Sequence, residues 1–143
     1  MDMVLYFRIN GDFMLLIHTI MDFIIEKYDS EVRYLPHISM EEDYNYDYIG
    51  GDVFGAWIES FSRSKGYDLN LTREVYGFES DTRCRINIFT DTLHEGIRAT
   101  YELAKIIENV FGEVLVNDDT SEVVYKKTSN ETVFDQEFWK FDC

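Results

Sequence analysis

Proline, cysteine and positive charge are all scarce in this chain of 143 residues, and each shortage limits what the protein can be. Pro36 is the only proline, whereas 16% of the residues are aromatic. Disordered chains usually show the opposite balance, so the composition predicts a folded protein. The 13 lysines and arginines face 28 acids, which gives a formal net charge of −15. Such a field repels nucleic acid and anionic membranes and attracts basic proteins, so we expect neither a nucleic-acid nor a membrane partner.

The few cysteines and the lack of a long apolar run indicate a cytoplasmic protein. Cys84 and Cys143 are too few for a disulfide framework and are interpreted as free thiols in a reducing compartment. The chain does not open with the basic flank of a signal peptide. Its most apolar segment, residues 13–25, is shorter than the roughly 20 residues that cross a bilayer. The length suits a single domain over residues 1–143.

The spacing of apolar residues predicts an α+β fold, with a mainly antiparallel sheet and two long helices packed on one face. Strands are predicted at 4–9, 83–90, 113–117 and 122–127, with a weaker strand at 32–38. Residues 53–61 fit a strand slightly better than a helix, and 68–76 fit either a short helix or an irregular loop. The aromatic C-terminal segment is predicted to pack as a last strand or a covering arm; its large residues are Phe134, Phe138, Trp139 and Phe141.

The two helices have recognisable ends. The first runs from a capping Asp12 to about Tyr28, and the second has a capping box at 92–95 and ends at Gly112. Extra apolar residues widen the stripe of the first helix, namely Met14, Leu15, Met21 and Ile25. We therefore expect this helix to be covered on more than one side, as a core helix or as a partner or dimer face. His18, on the same helix, is expected at the edge of the core.

Motifs for catalysis are missing from the sequence. The three histidines are not at metal-ligand spacing, and neither a phosphate-binding glycine loop nor a nucleophile elbow is present. Asp118, Asp119 and Glu122 lack the alternation of a calcium loop and are better explained as residues of a hairpin turn. We therefore expect no metal, no cofactor and no enzymatic activity, although a general acid–base pair among 28 acids remains open.

An acidic, tyrosine-rich segment is the strongest candidate for a binding site. No lysine or arginine occurs between Tyr34 and Ser62. Tyrosines add contact area and carboxylates add electrostatic steering, so the segment suits the surface of a basic protein. A solvated loop is the alternative. The proposed partner-binding residues are Glu41, Glu42, Asp43, Tyr44, Tyr46, Asp47 and Tyr48, with Asp118 and Asp119 as a second patch.

The second half of the chain resembles a family of bacterial inhibitors. A Tyr76-Gly77-Phe78 segment precedes an alternating strand and an amphipathic helix, and the sequence from Gly112 to Asp118 then resembles a short strand and turn. An apolar strand with a basic end follows at 123–127, and Phe138-Trp139 resembles a closing aromatic pair. This order is similar to that of the immunity proteins of the Sit (swarming-inhibition toxin) family of polymorphic-toxin systems. The resemblance implies a cytoplasmic protein that binds and blocks a cognate toxin domain.

Three other functions remain open at this point. An acidic nucleic-acid mimic or adaptor would share the charge and the lack of catalytic motifs. A small-ligand-binding protein or an enzyme without a recognisable motif would have a deep pocket. An oligomerising module would use the wide apolar face of the first helix, and the oligomeric state is itself open.

Overall fold

The computed structural model describes residues 2–28, 31–41, 44–88 and 93–140. It contains an eight-stranded antiparallel sheet and three helices, which confirms the α+β class and the antiparallel sheet. The strands are β1 Asp2–Phe7, β2 Arg33–Glu41, β3 Tyr44–Gly50, β4 Phe54–Ser60, β5 Thr82–Ile88, β6 Val114–Asn117, β7 Val123–Lys127 and β8 Thr132–Phe134. The helices are α1 Phe13–Tyr28, α2 Leu71–Tyr76 and α3 Leu93–Phe111.

The strand order across the sheet is β2-β3-β4-β5-β1-β6-β7-β8. Strand β1 lies between β5 and β6, and the antiparallel series β2–β3–β4 and β6–β7–β8 extend the sheet on either side. Because side chains alternate along each strand, the register assigns every residue to one of two faces. We call the face toward α1 and α3 the inner face and the opposite face the outer face.

The core lies between the inner face and the two longer helices. On β1 the inner residues are Met3, Leu5 and Phe7, each fully buried, and they share one cluster with Leu16 of α1 and Leu103 of α3. The third helix, α2, lies on the outer face, where the Tyr76 ring centroid is 6.3 Å from that of Tyr6. The prediction placed two helices on one face and left residues 68–76 as either a short helix or a loop. The structure has a short helix in this segment, and that helix packs on the opposite face.

The chain itself covers α1 on one side only, so the prediction of a core helix covered on more than one side is wrong, whereas a partner or dimer face on this helix stays a prediction. Met14, Leu15 and Ile25 are 55%, 41% and 44% exposed, and His18 is exposed instead of lying at the core edge. A single layer of helices covers the inner face, so only one stripe of α1 can be buried. That stripe consists of Phe13, Leu16, Ile17, Ile20, Phe23 and Ile24. The predicted cap is confirmed, since the Leu15 amide donates to Oδ1 of Asp12 at 3.3 Å.

Strands β2 and β3 pair as the two strands of a hairpin, so residues 33–41 and 44–50 are not a solvated loop. Strand β2 is an edge strand, with Pro36 on it and an irregular register between Leu35 and Ile38. His37 adopts a left-handed backbone conformation with a φ of 55°. Proline and local distortion prevent an edge from pairing with another sheet, so this edge is poorly suited to strand addition.

The predicted strand at 53–61 and the predicted hairpin at 113–127 are confirmed as β4 and as β6 with β7. The aromatic C-terminal segment forms β8 and then folds back, where Nε1 of Trp139 donates to the Val124 carbonyl oxygen at 2.8 Å. Phe141 and the capping Thr92 lie outside the described residues. Among the helices that the structure describes, none has the length and apolar character needed to cross a bilayer.

Candidate functional site

A groove of about 500 Å³ lies on the outer face across β3, β4, β5 and the start of β1. Cross-strand pairing builds it, since Trp57 pairs with Arg85, Glu59 with Arg83, and Asn87 with Asp2. The alternate residues of the same strands, such as Ile58 and Cys84, are buried in the core. Ligand sites in proteins commonly enclose about 300–1,000 Å³, so the groove is large enough to hold a small ligand or an inserted side chain. Its lining residues are Asp2, Tyr44, Tyr46, Trp57, Glu59, Arg83, Arg85 and Asn87.

Three aromatic rings pack together at one side of the groove, which Tyr46 and Trp57 line and Tyr48 supports. The Trp57 ring centroid is 4.7 Å from that of Tyr48 and 6.4 Å from that of Tyr46, the second pair being edge to face. Two glycines allow Tyr48 to lie against the sheet. A Cβ atom on Gly50 or Gly55 would come within 2.2 or 2.6 Å of the Tyr48 hydroxyl oxygen. The glycines therefore set the position of Tyr48, and Tyr48 supports the indole of Trp57.

The polar edge of the Trp57 ring is also fixed. With the side-chain amide of Asn87 oriented to suit both neighbours, its oxygen accepts from Nε1 of Trp57 at 2.9 Å. Its nitrogen then donates to Oδ1 of Asp2 at 2.7 Å. A tryptophan held at both its face and its nitrogen loses little freedom on binding, and such preorganised aromatic groups favour tight association.

The charged residues of the groove differ in their pairing. Nη2 of Arg83 donates to Oε1 of Glu59 at 2.8 Å, and Oγ of Ser64 donates to the other oxygen of that carboxylate at 3.1 Å. Burial lowers the pKa of Arg83, but Glu59, Tyr6 and Tyr46 together more than offset this, so the pKa lies above its ordinary value. Arg85 is exposed and, among the described residues, forms neither an ion pair nor a hydrogen bond. Its guanidinium is therefore unpaired and open to solvent.

Tyr44, Tyr46 and Tyr48 all belong to the groove or its support. The Tyr44 ring, 37% exposed, lies over Gly66, where a Cβ atom would come within 2.5 Å of the ring. Glu41 is the last residue of β2, and the structure describes only its backbone. The predicted contacts of Glu42 and Asp43 lie outside the described residues. Partner binding by these residues stays a prediction.

Asp47 does not belong to the exposed acidic surface on which it was predicted. Its carboxylate is 1% exposed, because the alternation of β3 turns it away from Tyr46 and Tyr48. Arg63 binds both of its oxygens, with Nε at 2.9 Å from Oδ2 and Nη2 at 3.0 Å from Oδ1. The Tyr34 hydroxyl also donates to Oδ1 at 2.9 Å. Asp47 is thus a structural anion that joins β2, β3 and the segment after β4.

The second predicted patch lies apart from the groove. Asp118 and Asp119 occupy the turn between β6 and β7 and do not line the groove. Oδ1 of Asp118 accepts from the amides of Thr120 and Glu122, each at 2.9 Å, so this carboxylate stabilises the turn, as predicted from its position. Asp119 is exposed and is available to a partner.

Sequence reasoning missed the residues that connect the tyrosines into a site. Trp57, Glu59, Arg83, Arg85 and Asn87 were not among the predicted site residues. The alternation of the two strands contained a signal for the groove. The residues that alternate with the apolar inner face are tryptophan and glutamate on β4, and arginine, arginine and asparagine on β5. A half-buried tryptophan beside both a positive and a negative side chain is unusual for a sheet face that is exposed only to solvent.

Other features give little indication of chemistry. In the part of the chain that the structure describes, no group of three or more His, Cys, Asp or Glu residues could hold a metal ion. Burial raises the pKa of the Cys84 thiol to about 12, so it stays protonated in the core. Comparison with protein-family models, curated proteins and solved structures found no match.

Proposed function

We propose that this protein is an immunity protein that binds and neutralises a cognate bacterial toxin domain. In this proposal it acts in the cytoplasm by occupying the toxin and needs no cofactor. The observation that carries the proposal is the preorganised Trp57, which lies between Tyr48 and Arg85 on an open sheet face, with Tyr46 edge to face against it. Tryptophan, tyrosine and arginine are the residues that dominate the binding energy of protein interfaces.

Charge supports a basic partner. Besides Asp47 and Glu59, which pair with Arg63 and Arg83, the segment between Tyr34 and Ser62 contains four acids and no lysine or arginine, and the whole chain carries a formal net charge of −15. A field of one sign speeds encounter with a partner of the opposite sign and fixes its orientation. A basic nuclease domain is a toxin of suitable charge. The resemblance of the second half to Sit immunity proteins is a further, independent reason for the proposal.

Co-expression with the C-terminal domain of the neighbouring encoded protein tests the proposal. We expect that domain to arrest growth when expressed alone, to be harmless with this protein, and to elute with it as one complex. A neighbour that is harmless alone, or that never associates with this chain, would contradict the proposal. A variant of the neighbour with an inactivated toxin site is the control for expression level.

Neutralising the acids of the β2–β3 hairpin is expected to slow association. In Glu41→Ser/Glu42→Ser/Asp43→Ser, Asp47 is left intact, so the ion pair with Arg63 is retained. We expect the association rate with the toxin domain to fall about tenfold at low salt and to depend less on ionic strength. The dissociation rate should change little, and stopped-flow fluorescence measures both rates.

The matched control is a second triple variant, which removes the same number of negative charges at positions away from the β2–β3 hairpin. Asp22 and Glu26 are exposed on α1, and Glu137 is exposed after β8. Their joint replacement by Ser should lower the association rate by a smaller factor, because local charge near the interface dominates steering. Equal slowing by the two triple variants would show that only the total charge matters and would remove the hairpin from the interface.

The volume of the groove favours a second function, the binding of a small organic ligand. Pockets of about this size bind drug-sized molecules. Native mass spectrometry of the purified protein distinguishes the two functions. A stoichiometric adduct that disappears in Trp57→Ala would favour ligand binding.

A further inference from the structure

Arg85 lies in the groove without a counter-ion. It pairs with Trp57 across β4 and with Val4 across β1, so neither direct neighbour on its face is an acid. Its guanidinium makes no ion pair or hydrogen bond to any residue that the structure describes. The arginines that do form ion pairs include Arg8, Arg63, Arg73 and Arg83. In a chain with more than twice as many acids as bases, an arginine left unpaired beside a tryptophan requires an explanation.

We propose that the groove binds a carboxylate of the toxin partner, namely an acidic side chain that reaches Arg85 against the ring of Trp57. This inference rests on the proposed function. A guanidinium offers two parallel N–H donors that match the two oxygens of a carboxylate. The indole of Trp57 keeps water from one side of the pair, and a charge pair is stronger where less water surrounds it.

The charge of the groove selects a carboxylate over a phosphate. Its four charged residues are Asp2, Glu59, Arg83 and Arg85, so their formal charges cancel. Glu59 and Arg83 pair with each other, and Oδ1 of Asp2 accepts from Asn87, so Arg85 keeps its guanidinium donors for an incoming group although the groove has no net charge. A singly charged carboxylate matches that single guanidinium, whereas a phosphate with a charge of about −2 would face excess negative charge. Physiological salt screens charges more than about 8 Å away, so the acids elsewhere on the protein oppose this binding only weakly.

The resulting interface has two kinds of contact. The partner presents basic residues to the acidic hairpin and one acidic residue to the groove. Such an arrangement gives specificity that uniform charge attraction does not, because a basic protein without the acidic residue would leave Arg85 buried and unpaired. The proposal thus explains how a strongly acidic protein could reject other basic proteins.

A peptide titration tests the groove without the toxin. The probes are N-acetyl-Phe-Glu-amide and its glutamine counterpart, N-acetyl-Phe-Gln-amide, added to protein labelled with ¹⁵N-tryptophan. The protein has two tryptophans, and Trp57→Phe identifies the indole signal of Trp57. We expect the glutamate peptide to shift this signal with a dissociation constant of about a millimolar, and the glutamine peptide to bind at least tenfold more weakly.

Two arginine variants complete the titration. Arg85→Gln should weaken binding of the glutamate peptide at least tenfold. Arg33→Gln, which removes an exposed arginine on β2 outside the groove lining, should leave it unchanged. Equal binding of the two peptides, or an unchanged affinity in Arg85→Gln, overturns the proposal. Sodium acetate that shifts the Trp57 signal as effectively as the peptide assigns the groove to free small acids and also overturns it.

Affinity measurements on the complex with the toxin domain test the carboxylate site and the proposed function separately. Arg85→Glu is expected to weaken that complex at least tenfold, and an acidic-to-lysine change in the toxin domain should restore the affinity of this variant. A complex that forms with unchanged affinity in Arg85→Glu overturns the carboxylate site and leaves the proposed function intact. If no complex forms at all, the proposed function fails, and the peptide titration still decides whether the groove binds a carboxylate.

Discussion

Asp47→Ala is expected to lower the free energy of unfolding by about 3 kcal/mol, the largest change in stability expected from a single polar substitution here. The substitution leaves the Arg63 guanidinium, whose side chain is 23% exposed, without its bidentate partner. That guanidinium also packs over the Phe13 ring, 4.3 Å from its centroid, so it cannot turn to solvent without losing this contact. Urea denaturation followed by circular dichroism measures the change.

Two further variants identify the cause of the loss. Asp47→Ala/Arg63→Met removes both charges, and we expect it to be more stable than Asp47→Ala, because no uncompensated cation remains. Asp119→Ala removes an exposed aspartate from a turn and should change the stability by less than about 0.5 kcal/mol. A loss in Asp47→Ala as small as that in Asp119→Ala would show that the Arg63 pair does not stabilise the fold.

The Asp47 ion pair also links stability to the candidate site. It connects Tyr34 of β2 and Arg63, which follows β4, to the strand that carries Tyr46 and Tyr48 on its other face. Nη2 of Arg63 further donates to Nε2 of His37 at 2.7 Å, which adds a second connection to the edge strand. Loosening this cluster should therefore increase hydrogen exchange in β2 and β3 before it affects the central strand β1.

Hydrophobic periodicity predicts the regular elements of this fold because each element has one apolar face. The alternation of Cys84, Ile86 and Ile88 specifies β5, and the stripe of α1 specifies a helix that contributes to one core. The number of layers does not follow from periodicity. Extra apolar residues such as Leu15 suggested a second covered side, but composition cannot say whether another layer exists to cover it.

The site was harder to predict because local charge does not reveal the orientation of a side chain. The segment from Tyr44 to Tyr48 has the period of a strand, which would have placed Asp47 opposite the tyrosines. The segment was nevertheless interpreted as a loop or a binding surface, because its high polarity was given more weight than its strand period. The groove also needs β4, β5 and β1 to lie beside β3, and sheet order is a long-range property that no segment of sequence contains. The sequence therefore indicated the tyrosines that line or support the groove, but not Trp57 and Arg85.

Trp57→Ala is expected to weaken the complex with the toxin domain at least 30-fold, which corresponds to about 2 kcal/mol. The indole is held by the Tyr48 ring and by Asn87, so it contributes a large rigid surface in the centre of the groove. Most of the change should appear in the dissociation rate, because short-range contacts act after encounter. Biolayer interferometry with the co-purified toxin domain measures both rates.

The matched control is an exposed aromatic residue far from the groove. Phe134 is 44% exposed on β8, five strands from β4, or about 24 Å at the usual strand spacing. Phe134→Ala should leave the affinity unchanged, although both variants lose part of an aromatic cluster and some stability. Equal affinities of Trp57→Ala and wild type, with both proteins folded by circular dichroism, would contradict a groove-centred interface. The toxin contact would then have to lie on the acidic hairpin, where the triple serine variant should produce the larger loss.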